Sequence, residues 1–283
     1  MSVLLKILYS IKNYSKEQLE TLEDKIYMID NHRFGKENIT MQERFIRQSL
    51  MIGEDATKKL ATKRVALFGV GGVGSYAAEA LARCGVGYIE LIDADAVSVS
   101  NINRQLCALT STVGMPKVKV VADRLRDINP DICVSERQEF FLPENSQNFD
   151  FSSYDFVIDA IDTVSAKIEI AVRCTELGIP MISSMGTGNK LDPTALRISD
   201  LAKTSGCPLA RVMRRELKKR GIVHLPVVYS EESPIKPIRA EDSESKKVTP
   251  ASIAFVPSVS GLYAASVAIK TLIASAPSSH EAH

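Results

Sequence analysis

Two groups of residues in this chain carry chemistry by type and spacing. The first is a glycine cluster, Gly69-Val70-Gly71-Gly72-Val73-Gly74, set between the β-branched run Arg64–Phe68 and a stretch of helix formers, Ser75–Cys84. Glycines there allow a tight turn and close backbone approach, and the free N–H groups of the following helix attract an anion. Gly69, Gly71 and Gly74 match the G-x-G-x-x-G pattern of a phosphate site, a spacing that a plain strand-to-helix turn also satisfies. Asp93 lies at the end of the next apolar run, where a carboxylate accepts hydrogen bonds from a ribose diol. These features suit NAD and ATP alike. Just downstream, Asn101, Asn103, Arg104 and Gln105 lie together in SNINRQ, and Lys117 opens the next predicted helix. Two cations and their amide neighbours favour a triphosphate over a single pyrophosphate, because Arg grips phosphate oxygens with a planar fork and Lys adds a point charge. Asp159 ends the predicted strand Phe156–Asp159, and Asp162 follows it. A carboxylate at that edge can hold Mg2+ against phosphates, and Asp162 could equally cap the next helix.

The second group lies further on. Residues 203–220 (KTSGCPLARVMRRELKKR) hold seven basic residues and one acidic residue, Glu216. Arg211, Arg214, Arg215 and Lys218 recur at i, i+3, i+4 and i+7. A helix over about 207–220 therefore puts them on one face, with Leu209, Val212, Met213 and Leu217 opposite. With Lys203 beside it, this stripe suits a phosphate backbone; it also describes an ordinary solvated helix. Cys207, just before Pro208, is the one loop cysteine in this half that could act as a nucleophile. A small apolar residue where a helix starts is the plainer expectation.

Positioning the first group requires strands alternating with helices. Strands are predicted at Arg64–Phe68, Tyr88–Ile92, Phe156–Asp159 and Met181–Ser184, and helices at Ser75–Cys84, Val118–Ile128 and about Val164–Leu177. This rhythm predicts an α/β fold: a doubly wound, Rossmann-like, mostly parallel sheet with helices on both faces. Ala195–Ile198 and Val223–Tyr229 predict a C-terminal extension of the sheet, and Ser258–Ala274 a small-residue helix. Glu231–Pro250 is polar, charged and proline-containing, the pattern of a mobile loop. Met41–Leu60 is expected as one helix. The organisation is then an extension of unassigned role (1–40), one domain over 41–276 and a short tail (277–283).

Composition narrows the classes. The 283 residues are 45% hydrophobic and 24% charged, which excludes wholesale disorder. Lys+Arg (35) nearly cancels Asp+Glu (34), so a net charge of +1 excludes nucleic-acid binding by bulk charge but not by a local patch. Cys84, Cys107, Cys133, Cys174 and Cys207 are scattered, with no C-x-x-C spacing. That pattern offers no zinc ribbon and points to a reducing, cytoplasmic setting. The first ten residues make a poor signal peptide, and the apolar segment 264–276 is interrupted by Lys270 and too short to span a bilayer. A soluble protein without membrane contact is expected.

Arg44-x-x-Arg47-Gln48, GVGGVG, LIDAD, NINRQ, GMPKV and AIDT resemble the E1-like adenylyltransferase superfamily. The resemblance implies a homodimer that activates carboxylates as acyl-adenylates with Mg·ATP. It implies Gly69, Gly71, Gly72 and Gly74 at the phosphates and Asp93 on the ribose. Asn101, Asn103, Arg104, Gln105 and Lys117 belong to the same nucleotide site, and Asp162 takes the metal. Arg47 matches an arginine that reaches a neighbouring subunit's ATP, so Arg47, Arg104, Lys117 and Asp162 form the implied catalytic set. Branches that adenylate ubiquitin-like or sulfur-carrier proteins commonly carry paired C-x-x-C motifs, which this chain lacks. SSMGTGNKLDPT, DLAKTSGCPLARVMRRELKKRGI, VVYSEESPI and FVPSVSGL resemble instead the tRNA threonylcarbamoyladenosine dehydratase branch, over about Arg44–Ile273.

That branch implies a reaction. ATP adenylates the threonyl carboxylate of a modified adenosine beside the anticodon; the carbamoyl group of the same side chain attacks, closing a ring and releasing AMP. The implied partner is tRNA carrying threonylcarbamoyladenosine, met by Lys203, Arg211, Arg214, Arg215 and Lys218. A monovalent cation and a sulfurtransferase or desulfurase partner stay open. The alternatives are a carrier-protein adenylyltransferase and, more remotely, a NAD-dependent dehydrogenase or a nucleotide sensor.

Overall fold

The computed structural model describes residues 41–236, 238 and 250–274. The expected extension (1–40), most of the expected loop at 231–250 and the tail lie outside the described residues. Compact units divide the chain between Ile46 and Arg47, and the sheet and the site belong wholly to the second. Helix α1 (Met41–Ile52) is followed by α2 (Glu54–Leu60). Gly53, at φ +89°, separates them where the sequence suggests a single helix.

Strands β1 (Arg64–Phe68), β2 (Tyr88–Ile92), β4 (Phe156–Asp159) and β5 (Met181–Ser184) stand where their apolar runs predict them. Strand β3 (Cys133–Arg137) joins them at one edge. Beyond β5 lie β6 (Leu196–Asp200) and β7 (Pro226–Ser230). Among the described residues seven strands form one sheet in the order β3-β2-β1-β4-β5-β7-β6. All pairs are parallel except β6 with β7, which run antiparallel and form the expected extension.

Alternate side chains of each strand feed opposite cores. Val65, Leu67, Ile89, Leu91 and Ile158 pack on one face against helices α3 (Gly74–Arg83), α4 (Lys117–Ile128) and α7 (Phe255–Ala274). Ala66, Phe68, Ile92, Val157 and Val227 pack on the other, against α5 (Val164–Leu177) and α6 (Pro208–Lys218). A cluster of Phe68, Phe141, Phe149 and Phe151, with ring centroids 4.8–5.9 Å apart, fills that second core. Helix α7 is long and apolar enough to cross a membrane by length and composition alone. Here its small residues Gly261, Ala264, Ala265 and Ala268 are buried in the core.

The topology fixes where a ligand belongs. Strand β1 pairs with β2 on one side and β4 on the other, so the chain builds outward in both directions from β1. At such a switch point the loops after neighbouring strands part, leaving a crevice at the carboxyl ends.

Candidate active site

A cavity of about 330 Å³ opens at that crevice. Its floor is the turn after β1, lined by Gly69, Gly71 and Gly72. Gly69 has φ +88° and lies against the backbone of Ala160, so a side chain there would be strained and would collide. Gly74, the first residue of α3, does not line the cavity; a Cβ on it would overlap the Gly69 carbonyl. Its contribution is packing of the turn onto the helix. The N-cap of α3, Val73, has no side-chain cap bond, so the turn aims the helix N-terminus at the cavity without an internal anion.

Asp93, directly after β2, accepts hydrogen bonds from the Val70 N–H (2.7 Å) and the Asp95 N–H (2.8 Å). Burial raises its pKa, and Lys117 together with these two hydrogen bonds works against the rise. Lys117 opens α4 and is itself buried. Its ammonium lies 2.7 Å from Asp95 Oδ2 and 4.0 Å from Asp93 Oδ1. A cation is thus held between two carboxylates at the cavity wall, facing the glycine turn. Arg104 is half-buried and also lines the cavity, its Nη1 donating to the Ser100 carbonyl (2.8 Å) and Asn103 Oδ1 (3.0 Å). Gln105 and Asn101 line it too, although Asn101 Oδ1 is engaged by the Ser98 N–H at 3.0 Å.

The opposite wall follows β4. Asp162 is exposed toward the cavity, and its nearest side-chain partner is the Thr163 hydroxyl at 3.5 Å. The N-cap of α5 is Thr163, which makes no side-chain cap bond, so Asp162 is not consumed in capping that helix. One exposed carboxylate lining the same cavity as the glycine turn fits Mg2+, which takes few protein ligands and completes its shell with other oxygen donors. Among the described residues no cluster of three His, Cys, Asp or Glu side chains could hold a metal unaided.

Several expected site residues stand elsewhere. Asn103 does not line the cavity; its Nδ2 donates to the Ser252 carbonyl at 3.0 Å and so ties the segment before α7 to this wall. Asp159 is fully buried in an ion pair with Lys167 at 2.9 Å and cannot meet a ligand. Arg47 is exposed on α1 and lines no part of this cavity. Arg214 departs from the cationic stripe: it is half-buried, and its Nη1 donates to the Leu201 carbonyl (3.1 Å), the Thr204 carbonyl (2.7 Å) and the Thr204 hydroxyl (2.6 Å). Its fork braces the loop before α6, leaving Lys203, Arg211, Arg215 and Lys218 exposed. Arg215 shares Glu216 with Lys219 and Arg220, whereas Arg211 and Lys218 have no ion pair among the described residues. Cys207 is buried at the N-cap of α6, as a small apolar residue.

One wall of the cavity comes from residues that no sequence motif marks. Glu139, Phe140, Phe141 and Leu142, after β3, line the cavity, as do Thr187, Ser252 and Pro257. Phe140 is 65% exposed, an apolar plate beside a polar pocket. The sequence signal for this wall is QEFFL, two aromatics directly after a strand, but the partly exposed β3 has no apolar run to mark it.

The ThiF family description matches residues 45–282. A tRNA threonylcarbamoyladenosine dehydratase of Bacillus subtilis is 47% identical over 232 residues, covering 78% of this chain and 91% of the relative. The solved structure of the Escherichia coli tRNA N6-threonylcarbamoyladenosine dehydratase in complex with ATP superposes with a TM-score of 0.75. It is 36% identical, over 82% of this chain and 95% of that one. The maize adenylyltransferase and sulfurtransferase MOCS3-2 is 35% identical over 136 residues, which is 28% of its own length. The chain belongs to the ThiF family, in its tRNA threonylcarbamoyladenosine dehydratase branch.

Proposed function

We propose that this ThiF-family chain is an ATP-dependent tRNA threonylcarbamoyladenosine dehydratase. The carboxylate of the threonyl side chain attacks the α-phosphorus of ATP, pyrophosphate leaves, and an acyl-adenylate forms. The carbamoyl group of the same side chain then attacks the activated carbonyl, the ring closes, and AMP departs. Both nucleophile and electrophile sit on one nucleoside, so ring closure gains from proximity and needs no protein nucleophile. The buried state of Cys207 agrees with that, and the chemistry needs no sulfur donor.

The observation that carries this reading is the convergence of the glycine turn, Lys117, Arg104 and Asp162 on one cavity. Backbone N–H groups at Gly71 and Gly72 and the start of α3 cradle phosphates, while Asp93 receives the ribose hydroxyls. Phe140 and Leu142 offer the base an apolar wall. Lys117 and Arg104 neutralise charge that builds at the α-phosphate, in a site already ordered before reaction. Mg2+, held by Asp162, would shield the phosphates. Lys203, Arg211, Arg215 and Lys218 hold the tRNA backbone; Arg214 is not among them. Arg47, outside its own cavity, serves the site of a second copy in a cytoplasmic homodimer.

Purified protein given ATP, Mg2+ and tRNA carrying the modification releases AMP and yields a nucleoside lighter by one water. Absence of both products refutes the reading. Pyrophosphate exchange that depends on a Gly-Gly-ended small protein and ignores tRNA establishes the carrier-protein alternative.

A further inference from the structure

We propose that the buried Asp159–Lys167 pair positions Asp162 by fixing the turn that carries it. The proposal rests on Asp162 meeting the metal–phosphate end of the nucleotide. Both side chains are 0% exposed, and their charged atoms are 2.9 Å apart. Lys167 Nζ also donates to the carbonyls of Ile161 (3.1 Å) and Ser184 (2.8 Å). Asp159 Oδ1 accepts the Ile161 N–H at 3.2 Å, and its Oδ2 accepts the Ser183 hydroxyl at 2.5 Å. Ile161 is therefore gripped at both ends of its own backbone, the N–H by the anion and the C=O by the cation.

Ile161 directly precedes Asp162, and both line the cavity. Among the described residues the Asp162 side chain has only the 3.5 Å contact to Thr163, so its placement is set by its backbone rather than by its own partners. A buried ion pair is weak grounds for stability, because apolar residues of equal volume often do as well or better. What the pair supplies is geometry. It reaches further through Ser184, whose hydroxyl lies 2.8 Å from that of Ser260 on α7. The turn after β4, the end of β5 and the cavity-lining helix α7 are thus locked to one buried charge pair.

The test compares Lys167→Arg, Lys167→Met and the double variant Asp159→Asn/Lys167→Met, which leaves no unpaired buried charge. Calorimetry measures ATP affinity with Mg2+ and with chelator, single-turnover assays measure AMP release, and exchange measures protection of the Ile161 amide. In the double variant, metal-free ATP affinity stays within about twofold while turnover falls roughly 100-fold, the usual consequence of an ångström-scale misplacement. The affinity gained on adding Mg2+ is lost, the Ile161 amide exchanges faster, and Lys167→Arg restores most of both. Adding Asp162→Ala to the double variant lowers turnover no further, since coupled residues are not additive. Losses that multiply with Asp162→Ala, or a folded double variant with wild-type behaviour, overturn the proposal. So does failure of both Met-containing variants to fold, which makes the pair structural. Asp162→Ala alone isolates the underlying reading: if it keeps the Mg2+-dependent gain, that reading fails and the positioning role falls with it.

Discussion

Replacing Lys117 with Met removes one charge while keeping most of the side-chain volume. In the free protein its ammonium lies 4.0 Å from Asp93 Oδ1 and 2.7 Å from Asp95 Oδ2. At an effective dielectric of about 20, one charge pair at 4 Å amounts to about 4 kcal/mol before desolvation is subtracted. The Asp95 side chain is 56% exposed, so its pair adds about 1 kcal/mol or less. After desolvation, a hydrogen bond to a charged group contributes about 1.5–3 kcal/mol, roughly 10- to 150-fold in a dissociation constant. The upper end applies to ATP, because the variant also leaves Asp93 and Asp95 unneutralised opposite the phosphates. Turnover falls by a further factor of about 100–1,000, as for other preorganised donors at developing charge. Calorimetry with ATP and with adenosine, beside AMP release under saturating ATP, separates these effects. Adenosine affinity stays near wild type. An ATP dissociation constant within about twofold of wild type refutes the placement of Lys117 at the phosphates, as does an equal loss for adenosine.

Four further outcomes follow. Arg211→Ala with Lys218→Ala lowers tRNA affinity and reduces the salt slope by about one per charge without moving the melting temperature. Arg214→Ala does the reverse: it removes three hydrogen bonds under the loop before α6, lowers the melting temperature and spares the salt slope. Glu79 is paired with Arg83 (2.7 Å) and Arg124 (2.6 Å); burial raises its pKa, but these partners outweigh burial and leave it below the usual carboxylate value. A depressed folded-state pKa gives stability that is present at neutral pH and lost as pH falls below about 4, so the deficit of Glu79→Gln, about 1 kcal/mol, shrinks on acidification. A deficit independent of pH in parallel melts contradicts that linkage. Finally, Arg47→Ala and Lys117→Met chains, each inactive alone, regain turnover when mixed and allowed to exchange subunits. No recovery in the mixture places Arg47 outside a neighbouring site.

The sheet centre was legible because burial on both faces forces an unmistakable pattern. RVALF, YIELI and FVID are each mostly apolar, with one charged residue apiece, and all three are strands with the bounds that their sequences suggest. Lys117 was legible for a different reason, as the residue that opens a patterned helix just downstream of NINRQ. Edge and long-range features were not. Strand β3, CVSER, lies at the sheet margin with partly exposed residues, so no apolar run marks it, and the wall at 139–142 went with it. Arg214 falls on the cationic face by helical period, yet a long side chain can bend back over the edge of its helix, and period says nothing of where the guanidinium ends. Asp159 looked like a ligand because strand-end carboxylates often are. The clue to its actual partner was Lys167, a lone charge among Ala166, Ile168 and Ile170 on the buried side of α5.

Helix α7 gives the molecule a late-closing door in time rather than in space. Gly261 sits so close to α3 that a Cβ would overlap the Val73 carbonyl, and Pro257 stands against Gly72. The cavity therefore takes one wall from near residue 70 and another from near residue 257. During synthesis the glycine turn emerges long before the helix that completes it. Until residue 257 has been made the cavity lacks its α7 wall, so the finished pocket is among the last features the chain can complete. Contacts of such sequence separation are also the slow ones to form.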